Sequence, residues 1–366
     1  MIRIENVSKR YEKSYAVRNL SLTVAKGELC CLIGPSGCGK STTLKMINRM
    51  IAPSSGTITV DGVDVHEVPV ATLRRRMGYV IQSIGLFPHM TVLANIQVVP
   101  RLLRWEESRS RKRALELLEL LGLSPDTYGG KYPAELSGGQ AQRVGVARAL
   151  AADPQILLMD EPFGALDPIS REHLQNQFLA IQQELHKTIV FVTHDIDEAV
   201  RLGTKVALLR DGRLVQYGSP EQLLAAPADA FVKKFVGLDR ALKRLSRLLA
   251  ADFLHPANSV ARQAPPELLE AEFRRLEGSD CARYLWVTDE ENRLVGWVDG
   301  NNTTEKRLNM LEDLVEIDPA DISVRPGYSL KQALAMFVQQ SVACLPVVDD
   351  ERRLQGEIRL ADVLKS

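Results

Sequence analysis

No apolar run in this sequence reaches the roughly 18–20 residues that a membrane-spanning helix needs. The longest candidates, such as Gln155-Ile-Leu-Leu-Met-Asp160, have the length of a strand. The N-terminal MIRIENVSKR carries charge from its third residue and lacks the apolar centre of a signal peptide, which predicts a cytosolic chain. Paired cysteines are missing too. Cys30, Cys31, Cys38, Cys281 and Cys344 form no CxxC pair and no ligand spacing with histidine, so all five are read as free thiols. Neither charge sign is in excess: Lys+Arg and Asp+Glu both number 46, which argues against a nucleic-acid binder. What is present is 366 residues with 45% apolar content, enough for one large domain and a smaller one with packed cores.

Short β-rich runs at Ile2–Val7, Ser21–Val24, Leu29–Ile33 and Thr57–Val60 alternate with turns. Leu29-Cys-Cys-Leu-Ile33 is apolar at every position, as a strand buried on both faces must be. Helices are expected at Ser41–Met50, across the charged, leucine-rich stretch 101–123, and at Ser137–Ala151 with Ser137 as N-cap. Ile156–Met159 and Ile189–Thr193 read as buried strands, so the core is a mostly parallel α/β sheet. That pattern fades near Gly237. Residues 238–250 then read as a basic amphipathic linker helix, with Leu238, Leu242, Leu245 and Leu249 on one side and Arg240, Lys243, Arg244 and Arg247 on another. Its apolar side would pack on its own protein, or its basic side would touch anionic lipid. Beyond it, Tyr284–Asp289 with Arg293–Val298, and Cys344–Asp349 with Arg353–Ile358, repeat a strand, acidic turn and Gly-containing strand. The repeat predicts a paired small domain.

The chemistry concentrates in three places. Gly34, Pro35, Ser36, Gly37, Cys38, Gly39, Lys40 and Ser41 fit GxxxxGK[ST], between a buried strand and a helix that continues through Thr42. In such a loop backbone N–H groups and a helix N-terminus surround phosphate, Lys40 adds a point charge, and the Ser41 hydroxyl suits Mg²⁺. The same lysine and helix end are expected to lower the Cys38 pKa and make the thiol reactive. Asp160 and Glu161 end a buried strand, where one carboxylate can serve the metal shell and the next can polarise water. His194 follows another buried strand, in reach of a γ-phosphate.

Leu136-Ser-Gly-Gly-Gln140 resembles the signature motif of ABC ATPases, and the order of parts over residues 1–237 is similar to that family. The resemblance implies a P-loop NTPase fold of α/β class with a helical subdomain at about 83–150. It implies ATP and Mg²⁺ as ligands, with Tyr11 stacking on adenine and Ser41, Gln82 and Asp160 at the metal. Glu161, Gln82 and His194 are the catalytic set it implies, and Ala165-Leu-Asp167 the D-loop. Ser137, Gly138, Gly139 and Gln140 would face the ATP of a second subunit, which implies a homodimer. The partners implied are transmembrane permease subunits and, through them, a periplasmic or extracellular substrate-binding protein. The expected location is peripheral, on the cytoplasmic face of the bacterial inner membrane.

A finer resemblance is to importers of quaternary-amine osmoprotectants of the glycine betaine, choline and carnitine type. It rests on Ile84–Thr91, Pro100–Arg104, Glu161–Arg171, Thr193–Ala199 and Val236–Arg240. Import of another small solute, such as an amino acid, polyamine or sugar, is the alternative. The C-terminal part looks like a small α+β CBS-domain pair, a divergent unit at 251–310 and a second at 311–366, with a regulatory or dimerising role implied. In the nucleotide-binding CBS pattern a hydroxyl residue follows the Gly-containing strand; here Asp299 and Arg359 stand there. The ribose-binding aspartate is kept as Asp362 and replaced by Asn302.

Overall fold

Leu29–Ile33 (β3), Ile156–Asp160 (β7) and Thr188–Val192 (β8) are buried at every position, and they form the centre of a sheet covered on both faces. Alternate residues serve opposite cores. Leu29, Cys31, Ile33, Leu157, Met159, Ile189 and Phe191 join one cluster, while Cys30, Leu32, Ile156, Leu158, Val190 and Val192 join the other. The structure is a computed structural model that describes residues 2–12, 14–82, 85–164, 166–167, 171, 174–176, 178–179, 182, 186–237, 239–276, 284–300, 314–316 and 318–365. The chain divides into two compact units, Met1–Leu238 and Asp239–Ser366.

In the first unit the core sheet runs β10-β9-β3-β8-β7-β6, with Met77–Val80 as β6, Lys205–Arg210 as β9 and Arg213–Gly218 as β10. All neighbours are parallel except β10 against β9. A second, antiparallel sheet runs β2-β1-β4-β5, made of Ile2–Tyr11 (β1), Ser14–Val24 (β2), Ser55–Val60 (β4) and Val63–Asp64 (β5). The sequence marks fragments of these strands but not their union in one sheet, because cross-strand pairing leaves no local signature. The helix α1 (Lys40–Ile47) packs against β7 and β8 of the core sheet and β2 of this one, its buried Leu44, Met46 and Ile47 joining the core they share.

The helical region holds Val92–Ile96, Val98–Leu102, Glu107–Leu120, Pro125–Tyr128 and Gly138–Leu150. The single helix expected across 101–123 is interrupted, since Arg104 adopts a left-handed backbone (φ 58°) and Trp105 N–H turns back to the Pro100 carbonyl (3.0 Å). The fully buried Asn95 holds the segment that precedes these helices. Its carbonyl accepts from Phe87 N–H (2.8 Å), and its amide donates to the Phe87, Met90 and Thr91 carbonyls (3.1, 3.0 and 3.1 Å). No helix among the described residues is long and apolar enough to cross a membrane.

The second unit has a four-stranded sheet, β11-β12-β13-β14, of Ser259–Ala261, Tyr284–Thr288, Leu294–Asp299 and Leu314–Glu316, and a two-stranded one of Cys344–Val348 (β15) and Leu354–Arg359 (β16). The repeat is visible in detail. Asp289 and Asp349 each accept from the N–H groups two and four residues on, building the same turn twice. A Cβ on Gly296 would strike the Val315 carbonyl, and one on Gly356 would come 2.6 Å from the His255 carbonyl, so both glycines admit a crossing backbone.

Two expectations fail here. The linker helix is only Arg240–Leu245, because the following backbone leaves it to pair with Tyr328–Leu330: Ala250 N–H donates to the Tyr328 carbonyl and Leu330 N–H to that of Leu248 (both 2.8 Å). Of its leucine stripe Leu245 is buried while Leu242 and Leu249 are exposed, and Leu238 lies outside the described residues. Cys344 is disulfide-bonded, whereas Cys30, Cys31 and Cys38 are free and Cys281 lies outside the described residues. Spacing along the chain carries no record of which cysteines the fold brings within bonding distance.

Candidate nucleotide site

Four adjacent strands end at one place. β3 leads into the glycine loop, β7 ends at Asp160 before Glu161, β8 leads to His194, and β6 leads to Gln82. The carboxyl ends of parallel strands are where open α/β sheets bind ligands. The cleft formed there, about 400 Å³, is lined by Ser36, Gly37, Cys38, Gly39, Lys40, Ser41, Thr42, Gln82, Glu161 and His194.

The loop's glycines are dictated by contact. Gly34 has φ 141° and a Cβ there would collide with the Leu209 carbonyl; Gly39 has φ 103° and a Cβ would collide with the Ala16 carbonyl on β2. The loop is thus clamped from two sides. Lys40 is buried, and its ammonium donates to the Gly34 and Pro35 carbonyls (2.7 and 3.0 Å). It therefore stands inside the loop, paired until a stronger acceptor arrives.

Ser41 Oγ donates to Asp160 Oδ1 at 2.8 Å. Burial pushes the Asp160 carboxyl above the usual carboxylate range, and the Ser41 hydrogen bond opposes that shift. Next to it, Glu161 has a left-handed backbone (φ 45°), held by its N–H to the Val192 carbonyl (3.0 Å). Such a conformation costs about 1–3 kcal/mol and aims a side chain that an extended strand end could not. One Glu161 oxygen, Oε2, receives both Gln82 Nε2 (3.3 Å) and His194 Nδ1 (3.2 Å). That arrangement places the proton of a neutral His194 on Nδ1 and leaves Nε2 free to face a ligand.

Ser137 caps the helix Gly138–Leu150 as expected. Its Oγ accepts from Gln140 N–H (3.3 Å), and Gln140 Oε1 accepts from Ser137 N–H (2.9 Å). The Ser137 hydroxyl hydrogen and the first-turn N–H groups of Gly138 and Gly139 have no role within the helix. A Cβ on Gly138 would meet nothing within 4 Å. None of Ser137, Gly138, Gly139 and Gln140 lines the cleft of its own chain, and Tyr11 does not either. Tyr11 stands at the end of β1, 46% exposed, with the Lys9 ammonium 5.1 Å from its ring centroid. Asp167 accepts through its carbonyl from Arg171 N–H (2.9 Å), while Ala165 lies outside the described residues. Gln175, which donates to Glu198, lies outside every motif; Arg171 and Glu198 fall within the stretches that carry the finer resemblance, but the sequence assigns them no individual role.

The Cys38 expectation is reversed. The thiol is buried and its pKa is raised, because desolvation outweighs the nearby Lys40 ammonium, 3.7 Å from the sulfur. In the native protein at pH 7.5, maleimide should label Cys38 at least about 10-fold more slowly than a free model thiol, since only exposed thiolate reacts. Peptide mass spectrometry would measure it; labelling at the model-thiol rate would show that the loop opens.

In the second unit, Asp362 is engaged: His255 Nε2 lies 2.7 Å from its Oδ2. Arg359 Nη2 lies 3.2 Å from Glu357, which is fully buried and also receives Trp286 Nε1 (3.1 Å). Asn302 lies outside the described residues.

Comparison with known proteins agrees with this geometry. Residues 17–164 match the ABC transporter family model and residues 311–366 the CBS domain model. The osmoprotectant import ATP-binding protein OsmV of Salmonella typhimurium is 45% identical, across all of this chain and 97% of its own length. The choline transport ATP-binding protein OpuBA of Bacillus subtilis is 46% identical, across all of this chain and 95% of its own. Among solved structures, a dimeric post-hydrolysis state of the ATP-binding cassette MJ0796 bound to ADP and Pi is similar with a TM-score of 0.56 and 34% identity. That likeness covers 60% of this chain and 99% of that one.

Proposed function

Because this chain belongs to the ATP-binding proteins of ABC transporters, in the group of the osmoprotectant importers, we propose that it hydrolyses ATP to drive uptake of a small quaternary amine of the glycine betaine, choline or carnitine type. The amine crosses through a separate permease, delivered by an external binding protein, and the chain works at the cytoplasmic face of the membrane. One observation carries the reading. Gln82, Glu161 and His194 converge on the phosphate loop, while the Ser137–Gln140 helix end takes no part in lining that cleft. Each site is complete only when a second copy supplies that helix end.

Lys40 exchanges two loop carbonyls for the β- and γ-phosphates, and the loop N–H groups hold the rest of the chain of phosphates. Ser41, Asp160 and Gln82 offer oxygen donors, with Ser41 and Asp160 already in contact, a set that suits Mg²⁺ rather than zinc. When bound, the ion neutralises charge on the β- and γ-oxygens. Glu161 orients the attacking water and accepts its proton. His194 and Gln82 hold that carboxylate and sense the γ-phosphate. Tyr11 stacks on the base. The second unit, whose Asp362 is tied to His255, acts in regulation or dimerisation.

Uptake tests the substrate. In a host without its own quaternary-amine uptake, the chain with its permease and binding-protein partners should accumulate labelled betaine, choline or carnitine at least about 10-fold above a Lys40→Ala control, the scale on which one lost charged hydrogen bond acts. Accumulation of an amino acid, polyamine or sugar instead would overturn it.

A further inference from the structure

His194 is flanked by two residues that its own chain holds tightly. Thr193, buried, accepts Asp195 N–H at its Oγ1 (3.0 Å). Asp195 caps the helix Ile196–Leu202, its Oδ1 accepting from Asp197 and Glu198 N–H (2.8 and 3.4 Å). The other Asp195 oxygen, Oδ2, faces Arg171 Nη1 at 3.8 Å. Arg171 Nη2 in turn donates to the Leu166 carbonyl (3.2 Å), one residue before Asp167. Leu166 leans on the signature helix, since a Cβ on Gly139 would stand 3.3 Å from its Cδ2. Deeper down, Gln175 Nε2 donates to the buried carboxylate of Glu198 (2.9 Å), and Arg201 spans Gln175 and Asn176 (3.4 and 2.6 Å).

Those contacts form a continuous path inside one chain. It begins at Gly139, whose helix end serves the ATP of a second copy, and runs through Leu166, Arg171 and Asp195 to His194, which serves the chain's own ATP. Arg171 is the hinge of the path: its planar fork reaches a main-chain carbonyl on one side and a carboxylate on the other, which a lysine ammonium cannot do in the same geometry. We propose that Arg171 is a positioning residue that couples the two ATP sites of the dimer, setting His194 against Glu161 according to where Leu166 rests on the signature helix. The proposal rests on the assignment of His194 and of the signature face made above.

The experiment is a double-mutant cycle on the full-length chain with Mg-ATP, reading kcat, KM and the Hill coefficient of ATP hydrolysis. Arg171→Met should lower kcat about 10-fold with KM changed less than about 2-fold, and bring the Hill coefficient toward 1. Asp195→Asn, which keeps a helix-capping side chain but removes the charge, should reproduce the effect from the other end. Arg171→Lys should restore part of kcat without restoring the Hill coefficient. In a His194→Ala background, Arg171→Met should cost less than about 2-fold further. If His194→Ala is severe and Arg171→Met multiplies with it in full, the relay is wrong while the site assignment stands. If His194→Ala leaves kcat untouched, the assignment falls and the relay with it. A lower melting temperature with kcat and Hill coefficient unchanged would reduce Arg171 to a structural role and overturn the proposal.

Discussion

Glu161→Gln should hydrolyse ATP about 100-fold more slowly or worse, bind it within about 2-fold of wild type, and accumulate as a dimer in Mg-ATP. The size of the loss is that of a general base removed from a positioned water. Glutamine has the shape of glutamate and makes the left-handed backbone at this position no more strained. Its side-chain oxygen can still meet Gln82 and His194, but it cannot take a proton. Binding depends on the phosphate loop, which the change does not touch, so the closed state forms and persists because the step that reopens it is blocked. Light scattering with and without Mg-ATP, beside a steady-state ATPase assay, reads both halves. Adding Ser137→Arg, which puts a long side chain on the face proposed to meet the other copy, should return the protein to monomer. Hydrolysis at the wild-type rate would move the base to another residue and undo the mechanism.

Lys40→Ala acts at the other end of the cycle. Lys40 is 6% exposed and its ammonium is shared between two loop carbonyls, so the charge is aligned before nucleotide arrives. A charged hydrogen bond is worth about 1.5–3 kcal/mol, so its removal should weaken ATP binding about 10- to 150-fold and leave hydrolysis undetectable. The fold should survive, because the two carbonyls lose a donor in a cleft that water enters. Isothermal titration with ATP, with circular dichroism as a control, distinguishes the cases. Unchanged affinity would show that the loop N–H groups alone hold the phosphates.

The core strands were legible because burial on both faces demands an unbroken apolar run, and Leu29–Ile33 is one. Ser137 was legible as a cap because capping is local: its partner Gln140 is three residues away. The loop at 34–41 was legible because its spacing is itself the geometry. Cys38 was misread because the sequence shows a lysine two residues away but not the desolvation that outweighs it. The linker helix was misread because periodicity cannot show that backbone near Leu249 has a better partner eighty residues further on, at Ser329.

From its residues alone this sequence determined the class of fold, the phosphate loop and the set of residues proposed to serve it, since each motif depends on neighbours within a few positions. Only the tertiary structure decided that Gln82 and His194 meet the same oxygen of Glu161, that Asp362 is already held by His255, and that Arg171 joins Leu166 to Asp195. Those are contacts between segments far apart in the chain, set by how strands order themselves in a sheet, and no local pattern records them.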